Sequence, residues 1–286
     1  PRTLVFYKAG KMTANELLNK ANESAFKLRH QMKPVAGRIQ VGQEWKMEDL
    51  FAHFKDPSQV HYSQTTESNY CQRYHLQNWK TYLSAKDYRK NLFIIEILEH
   101  YVMPAWPLWQ KQTLRLLDVG SGDWAYAPGL YQFFKYSFTT TPRTIYLTGI
   151  EIDPYRVDSS GYTDLDYAQA YIDPIANDCH YLTENFLSHT PTEPYDGIFF
   201  LLPLVLQEAH LYYGLPSQYY DPKQMFQQSL TLLEKQGIIL VANEIQPEFE
   251  FQQQLFTQAN ISPLLSGLFQ SALFPQSKGF ISIVQK

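Results

Sequence analysis

Apolar positions recur along this chain with two different periods. From Thr13 to about Arg29, Leu17, Leu18, Ala21, Ala25 and Leu28 fall on one helical face. Thr13 with Glu16 forms a capping box, so a helix is predicted to start there. Residues 34–84 are irregular and aromatic-rich, with several short helices expected. From Lys86 to Met103, Tyr88, Leu92, Ile95, Leu98 and Val102 recur every three or four residues, and Pro104 is expected to end the helix.

Beyond that point short apolar runs alternate with helical stretches. The runs Leu114–Val119, Thr144–Glu151, His180–Glu184, Gly197–Leu202 and Gly237–Ala242 read as buried strands. The clearest helix between them is Pro222 to Lys235, with Asp221 as N-cap and Gly237 just past its end. Strands joined by helical crossovers form a parallel sheet. Phe269–Phe274 and Gly279–Val284 are joined by too few residues for a crossover, so they should pair antiparallel. The predicted fold is α/β: a doubly wound, mostly parallel seven-stranded sheet with a C-terminal antiparallel hairpin and an N-terminal helical cap. Residues 1–84 form the cap segment and 85–286 the sheet domain, with the cap packed on the sheet.

Composition narrows the class. Of 286 residues, 44% are apolar and 18% charged, which excludes wholesale disorder. The longest apolar run, Gly197 to Leu206, is interrupted by Pro203 and is short of the ~20 residues of a membrane span, so no membrane partner is expected. No secretory pattern opens the chain, and Pro1 is read as a processed, truncated or tagged end. Cys71 and Cys179 are read as reduced thiols in a cytoplasmic protein. The net charge of −4 argues against a generic nucleic-acid binder, but residues 1–38 carry +6. Arg2, Lys8, Lys11, Lys20, Lys27, Arg29, Lys33 and Arg38 therefore read either as a basic arm for an anionic partner or as a solvated helix face.

The candidate chemistry begins at Leu116-Leu117-Asp118-Val119-Gly120-Ser121-Gly122. A buried strand ends in an acid, and a G-x-G turn follows. Gly120 and Gly122 permit a sharp turn and close approach to a ligand. Asp118 at that edge can accept from an ammonium group or a water. In Gly149-Ile150-Glu151-Ile152-Asp153 a second strand ends in an acid, and Glu151 can accept both hydroxyls of a ribose.

These two segments resemble the first and second motifs of class I methyltransferases that use S-adenosylmethionine (SAM). Leu182-Thr183-Glu184-Asn185-Phe186 is similar to their acid-containing adenine turn, and Tyr195-Asp196-Gly197-Ile198 to their fourth strand. Leu233 to Leu240 is similar to their fifth strand, and the terminal hairpin to their sixth and seventh. The resemblance covers about residues 86–286 and is carried by the ordered set. It implies SAM as cofactor, held by Asp118, Val119, Gly120, Ser121, Gly122, Glu151, Ile152, Asn185, Phe186 and Leu201. It also implies methyl transfer to an acceptor the sequence does not identify. A small molecule or a protein is favoured by the acidic sheet domain and the pocket-side aromatics.

The departures carry expectations of their own. Trp124 replaces the family's third glycine and should narrow the pocket or stack on the ligand; filling the methionine site would leave an inert module that binds a partner through its basic arm. Asn185 stands for the usual Asp and can still reach the adenine amino group through its side-chain carbonyl. Leu201-Leu202-Pro203 is not the Asp/Asn-Pro-Pro-aromatic tetrad that resembles enzymes methylating nucleic-acid amino groups, which argues further against that substrate. A nicotinamide oxidoreductase is the main rival, since Gly120-x-Gly122-x-x-Ala125 fits its pattern. However, Glu151 lies 29 residues past Gly122, against ~20 in that fingerprint, and Asp118 would repel a pyrophosphate.

Three weaker constellations complete the reading. His53, His61, Cys71 and His75 lack the spacing of a zinc knuckle, so no metal is expected. Tyr62, Tyr70, Arg73, Tyr74 and Tyr82 could form a lid over the site or bury against the sheet. Glu208, His210, Tyr212, Tyr213, Tyr219 and Tyr220 follow the fourth strand on the substrate side. His210, Glu208 and Glu244 are the candidate acid–base groups, although methyl transfer from a sulfonium needs little beyond alignment.

Overall fold

A computed structural model of the chain describes residues 13–37, 39–42, 45–52, 54–203 and 205–286. Seven strands form one sheet: β1 (Thr113–Val119), β2 (Thr144–Ile150), β3 (Cys179–Leu182), β4 (Tyr195–Leu201), β5 (Leu233–Asn243), β6 (Leu265–Gln270) and β7 (Lys278–Gln285). Their order is β3-β2-β1-β4-β5-β7-β6. The first five run parallel, and β7 enters antiparallel between β5 and β6. This is the doubly wound, mostly parallel sheet with a closing hairpin that the sequence predicts. The winding reverses between β1 and β4, so a crevice opens beyond the carboxyl ends of those strands.

Alternation along each strand divides the core in two. Leu114 and Leu116 of β1, Leu147 of β2, Phe199 of β4 and Leu240 of β5 face one side, under helices Ala85–Ile97 and Ala127–Tyr136. Leu117, Val119, Ile150, Ile198, Phe200, Ile239 and Val241 face the other, under helices Pro222–Leu232 and Gln246–Gln258. The aromatic N-terminal segment joins the first core. Leu50, Phe51, Tyr70, Tyr74, Leu76 and Leu83 are buried with the sheet residues.

Several boundaries differ from the sequence reading. The long helix starts at Ala85 behind the N-cap Ser84 and passes through a π turn at Leu98–Val102. It ends at Ala105, one residue beyond Pro104. Helix Pro222–Leu232 stops before Gly237, which lies inside β5 beside a bulge where Gln236 takes φ 65°. The sixth strand is Leu265–Gln270 rather than Phe269–Phe274. Ser271 and the backbone of Ala272 and Leu273 turn away to donate to the buried carboxylate of Glu96. Phe274 drops into the core against Phe51.

The N-terminal helix, Ala14–Met32, has the predicted Thr13–Glu16 capping box but buries the other face. Asn22 and Phe26 are its buried residues, while Leu17 and Leu28 are more than half exposed. Arg2, Lys8, Lys11, Arg38 and His53 lie outside the described residues. Among the described residues no helix is long and apolar enough to cross a membrane.

Candidate functional site

A cavity of about 570 Å³ occupies the crevice at the winding reversal. That lies within the ~300–1,000 Å³ range of small-molecule sites. Its floor is the G-x-G turn. Gly120 and Gly122 take φ 75° and 55°, left-handed backbone that favours glycine, and the turn is tied to β2 by the Gly120 amide donating to the Ile150 carbonyl at 2.8 Å. Val119, Gly120, Ser121, Gly122, Glu151, Ile152, Asn185, Phe186 and Leu201 all line the cavity. The sequence placed all nine in the cofactor site, and the structure brings them together.

Asp118 is the exception. It does not line the cavity, because alternation puts it on the side of Leu114 and Leu116, opposite Leu117 and the cavity-lining Val119. It is fully buried, and the indole Nε1–H of Trp124 donates to its Oδ2 at 2.7 Å. Burial raises its pKa to about 7, and the neighbouring charge of Glu151 adds to the effect. Trp124 is equally buried and also lies outside the cavity lining, so it neither narrows the pocket nor stacks over it. Its backbone is left-handed, at φ 53°. Its ring fills the space above Gly149, where a Cβ would come within 2.8 Å of it.

Glu151 is 7% exposed and held by two backbone amides. Gly122 donates to Oε2 at 3.0 Å and Asp153 to Oε1 at 2.9 Å. Burial raises its pKa, and these amides oppose the rise. Each carboxylate oxygen retains a lone pair for a ligand. Asp153 stands just before the turn at Pro154–Tyr155. It is fully buried and takes a two-pronged bond from Arg29 of the N-terminal helix, with Nε to Oδ1 at 3.1 Å and Nη2 to Oδ2. Arg29 is therefore not a free charge of a basic arm. Asn185 accepts from the Leu187 amide at 3.0 Å, capping a short turn, and has one carbonyl lone pair left.

The other wall is a cover running from Leu202 to Pro222, with Val205, His210, Tyr213, Leu215 and Tyr219 turned inward. His210 is 4% exposed. Its Nε2–H donates to the Pro216 carbonyl at 2.9 Å, and burial lowers its pKa, so Nδ1 is its basic atom. Glu244 lines the cavity; Glu208, Tyr212 and Tyr220 do not. No residue of the aromatic cluster Tyr62, Tyr70, Arg73, Tyr74 and Tyr82 lines it either. Tyr70 and Tyr74 are buried on the opposite face of the sheet, so the lid expectation is corrected. His61 sits on helix Pro57–Arg73, and His75 lies 4.2 Å from the Tyr136 ring, centroid to centroid.

Sequence reading missed Asp123, Tyr126, Asp164 and Gln252 of the lining. Asp164 carries a usable signal, since Thr163 and Asp166 form the capping box that starts its helix at the cavity edge. Burial raises its pKa to about 7, with Glu151 adding to the rise. Five carboxylates thus line the cavity: Asp123, Glu151, Asp164, Glu184 and Glu244. Among the described residues no Lys or Arg lines it.

The chain matches no protein-family model and no curated protein. Solved structures do resemble it. The N-methyltransferase NodS from Bradyrhizobium japonicum WM9, in complex with S-adenosyl-L-homocysteine, is 11% identical over 67% of this chain and 87% of that chain, with a TM-score of 0.43. The precorrin-6y C5,15-methyltransferase from Geobacter metallireducens GS-15 is 9% identical over 66% and 87%, with a TM-score of 0.45. TrmN from Thermus thermophilus is 16% identical over 68% and 48%, with a TM-score of 0.42. An rRNA methylase from Streptococcus thermophilus is also similar, at 11% identity over 67% and 95% and a TM-score of 0.41. The expectation against nucleic acid is not borne out.

Proposed function

We propose that this protein transfers a methyl group from SAM to an acceptor bound under the Leu202–Pro222 cover. The carrying observation is the charge of the cavity: five carboxylates and, among the described residues, no Lys or Arg, around a G-x-G turn with Glu151 beside it. Such a lining attracts a cationic ligand and repels the pyrophosphate of a dinucleotide. SAM combines a sulfonium, an ammonium and a ribose diol. Trp124 packs outside the cavity, which supports an open site rather than an inert module.

The residues present fit this group. Ser121, 3% exposed, lines the cavity with a hydroxyl that has no protein partner. Gly120, Ser121 and Gly122 would hold the methionine part, Glu151 the ribose hydroxyls, and Asn185 with Phe186 the adenine. When bound, SAM supplies an already activated methyl group. The chain then has to align the acceptor and exclude water, which the cover and its inward aromatics suit. His210 Nδ1 is a candidate base for an acceptor that must lose a proton. Cys71 and Cys179 are both buried and unpaired, which supports the cytoplasmic setting of this reading.

Calorimetry on the full chain with SAM, S-adenosylhomocysteine and NAD tests the proposal. Micromolar binding of the first two and none of NAD is expected. Absence of both adenosyl ligands would return the protein to the inert module, and binding of NAD alone to the oxidoreductase.

A further inference from the structure

The N-terminal helix contributes no residue to the cavity lining, yet its polar side chains end on both cavity walls. On the cover, Asn22 Nδ2 donates to the Leu211 carbonyl at 2.8 Å, Asn19 Oδ1 accepts from the Ser217 amide at 2.7 Å, and the Phe26 ring lies 5.0 Å from Tyr219. On the other wall Arg29 grips Asp153 with two nitrogens. Asp153 is completely buried, so its charge depends on that partner. His30 also approaches, at 3.6 Å from Oδ1, but burial lowers its pKa and keeps it neutral at pH 7. Arg29 is thus the cation that pairs Asp153.

The consequence runs through the backbone. The amide of Asp153 donates to Glu151 Oε1, while the Gly122 amide holds Oε2. The orientation of the Glu151 carboxylate therefore depends on where the Asp153 peptide sits, and the Asp153 side chain is anchored by Arg29, 124 residues away in sequence. The planar guanidinium suits this task, because two parallel bonds fix direction as well as distance.

We propose that Arg29 is a positioning residue for the cofactor ribose, acting through Asp153 to aim Glu151, so that the N-terminal helix tunes cofactor affinity without touching the cofactor. The proposal rests on the SAM reading given above. It extends that reading to a residue outside the motifs and outside the cavity.

The test compares two ligands on two proteins by calorimetry: S-adenosylhomocysteine, and the same compound lacking both ribose hydroxyls. Wild-type protein must bind the first; if it binds neither, the SAM reading fails and this proposal falls with it. Given binding, Arg29→Ala should weaken S-adenosylhomocysteine by about tenfold while changing the hydroxyl-free compound by less than about twofold. Equal weakening of both ligands would mean that Arg29 only supports the fold, and would overturn the proposal. Unchanged binding of S-adenosylhomocysteine would overturn it too. Should Arg29→Ala not fold, Arg29→Lys carries the same comparison, since it keeps the charge and loses the two-pronged geometry. A loss of about threefold, confined to the hydroxylated ligand, is then expected.

Discussion

At the scale of single residues, the cavity is governed by carboxylates whose neighbours differ. Glu151 is oriented by the Gly122 and Asp153 amides and faces the crevice. Hydrogen bonds to a charged acceptor contribute ~1.5–3 kcal/mol each. Glu151→Ala should therefore weaken SAM by roughly 10- to 1000-fold, since each ~1.4 kcal/mol is tenfold; titration of the variant checks this. Asp118 and Asp164 show the same electrostatics from the other side, because burial raises both to about 7. The folded chain then holds protons that the unfolded chain releases above about pH 4. That contribution to stability is present below about pH 4 and is lost as pH rises through about 7. A cationic ligand reverses the cost by favouring the ionised forms. SAM affinity should accordingly rise about fivefold or more from pH 6 to pH 8, and Asp164→Asn should flatten the profile. A profile equally steep in the variant would remove Asp164 from the account.

At the scale of elements, the cover and the N-terminal helix act together. The helix docks through Asn19, Asn22, Phe26 and Arg29, while Leu17 and Leu28 face outward. A single helix docked on the surface opens locally at lower cost than the core does. Asn22→Ala removes the donor shared by the Leu211 and Leu215 carbonyls, at ~1–3 kcal/mol for buried groups left unmatched. Amide exchange should then rise together over residues 14–32 and 205–222. Saturating SAM should slow exchange over 202–222 and leave helix Pro57–Arg73 unchanged, because that helix packs on the other face of the sheet. Protection of Pro57–Arg73 by ligand would restore the lid that the geometry sets aside.

At the scale of the whole molecule, buried residues between Val41 and Leu83 share one core with the sheet. Tyr74 packs 5.3 Å from Phe133, centroid to centroid, and Phe51 packs against Phe274 beyond the last crossover. Removing 1–84 would strip Leu50, Phe51, Tyr70, Tyr74, Leu76 and Leu83 from that core. Each large apolar truncation in a core costs ~2–5 kcal/mol, against a total stability of ~5–15 kcal/mol. The fragment 85–286 is therefore expected to be insoluble or molten, and the full chain to unfold in one transition by calorimetry. Two separate transitions would show that the helical segment and the sheet fold as independent units.

What the sequence determined by itself is local. The first five strand runs, the Thr13–Glu16 and Asp221 caps and the G-x-G turn are written in period, cap chemistry and glycine placement, and each survives in the fold, with Glu151 just past the end of β2. Nine of the ten expected cofactor positions line one cavity for the same reason. Asp118 was misplaced although alternation alone separates it from Val119; the acid followed its indole partner rather than the crevice. Tertiary structure decided the rest. The face of the N-terminal helix was set by Asp153 and by the free carbonyls of the cover, which make Asn22 and Arg29 more valuable inside than Leu17 or Leu28. The sixth strand ended at Gln270 because the buried carboxylate of Glu96 recruits the next three residues as donors. Arg29 and Asp153 lie far apart in sequence, and no local pattern announces that they meet. A buried charge takes whichever partner the packed chain delivers to it, and only the assembled fold makes that choice.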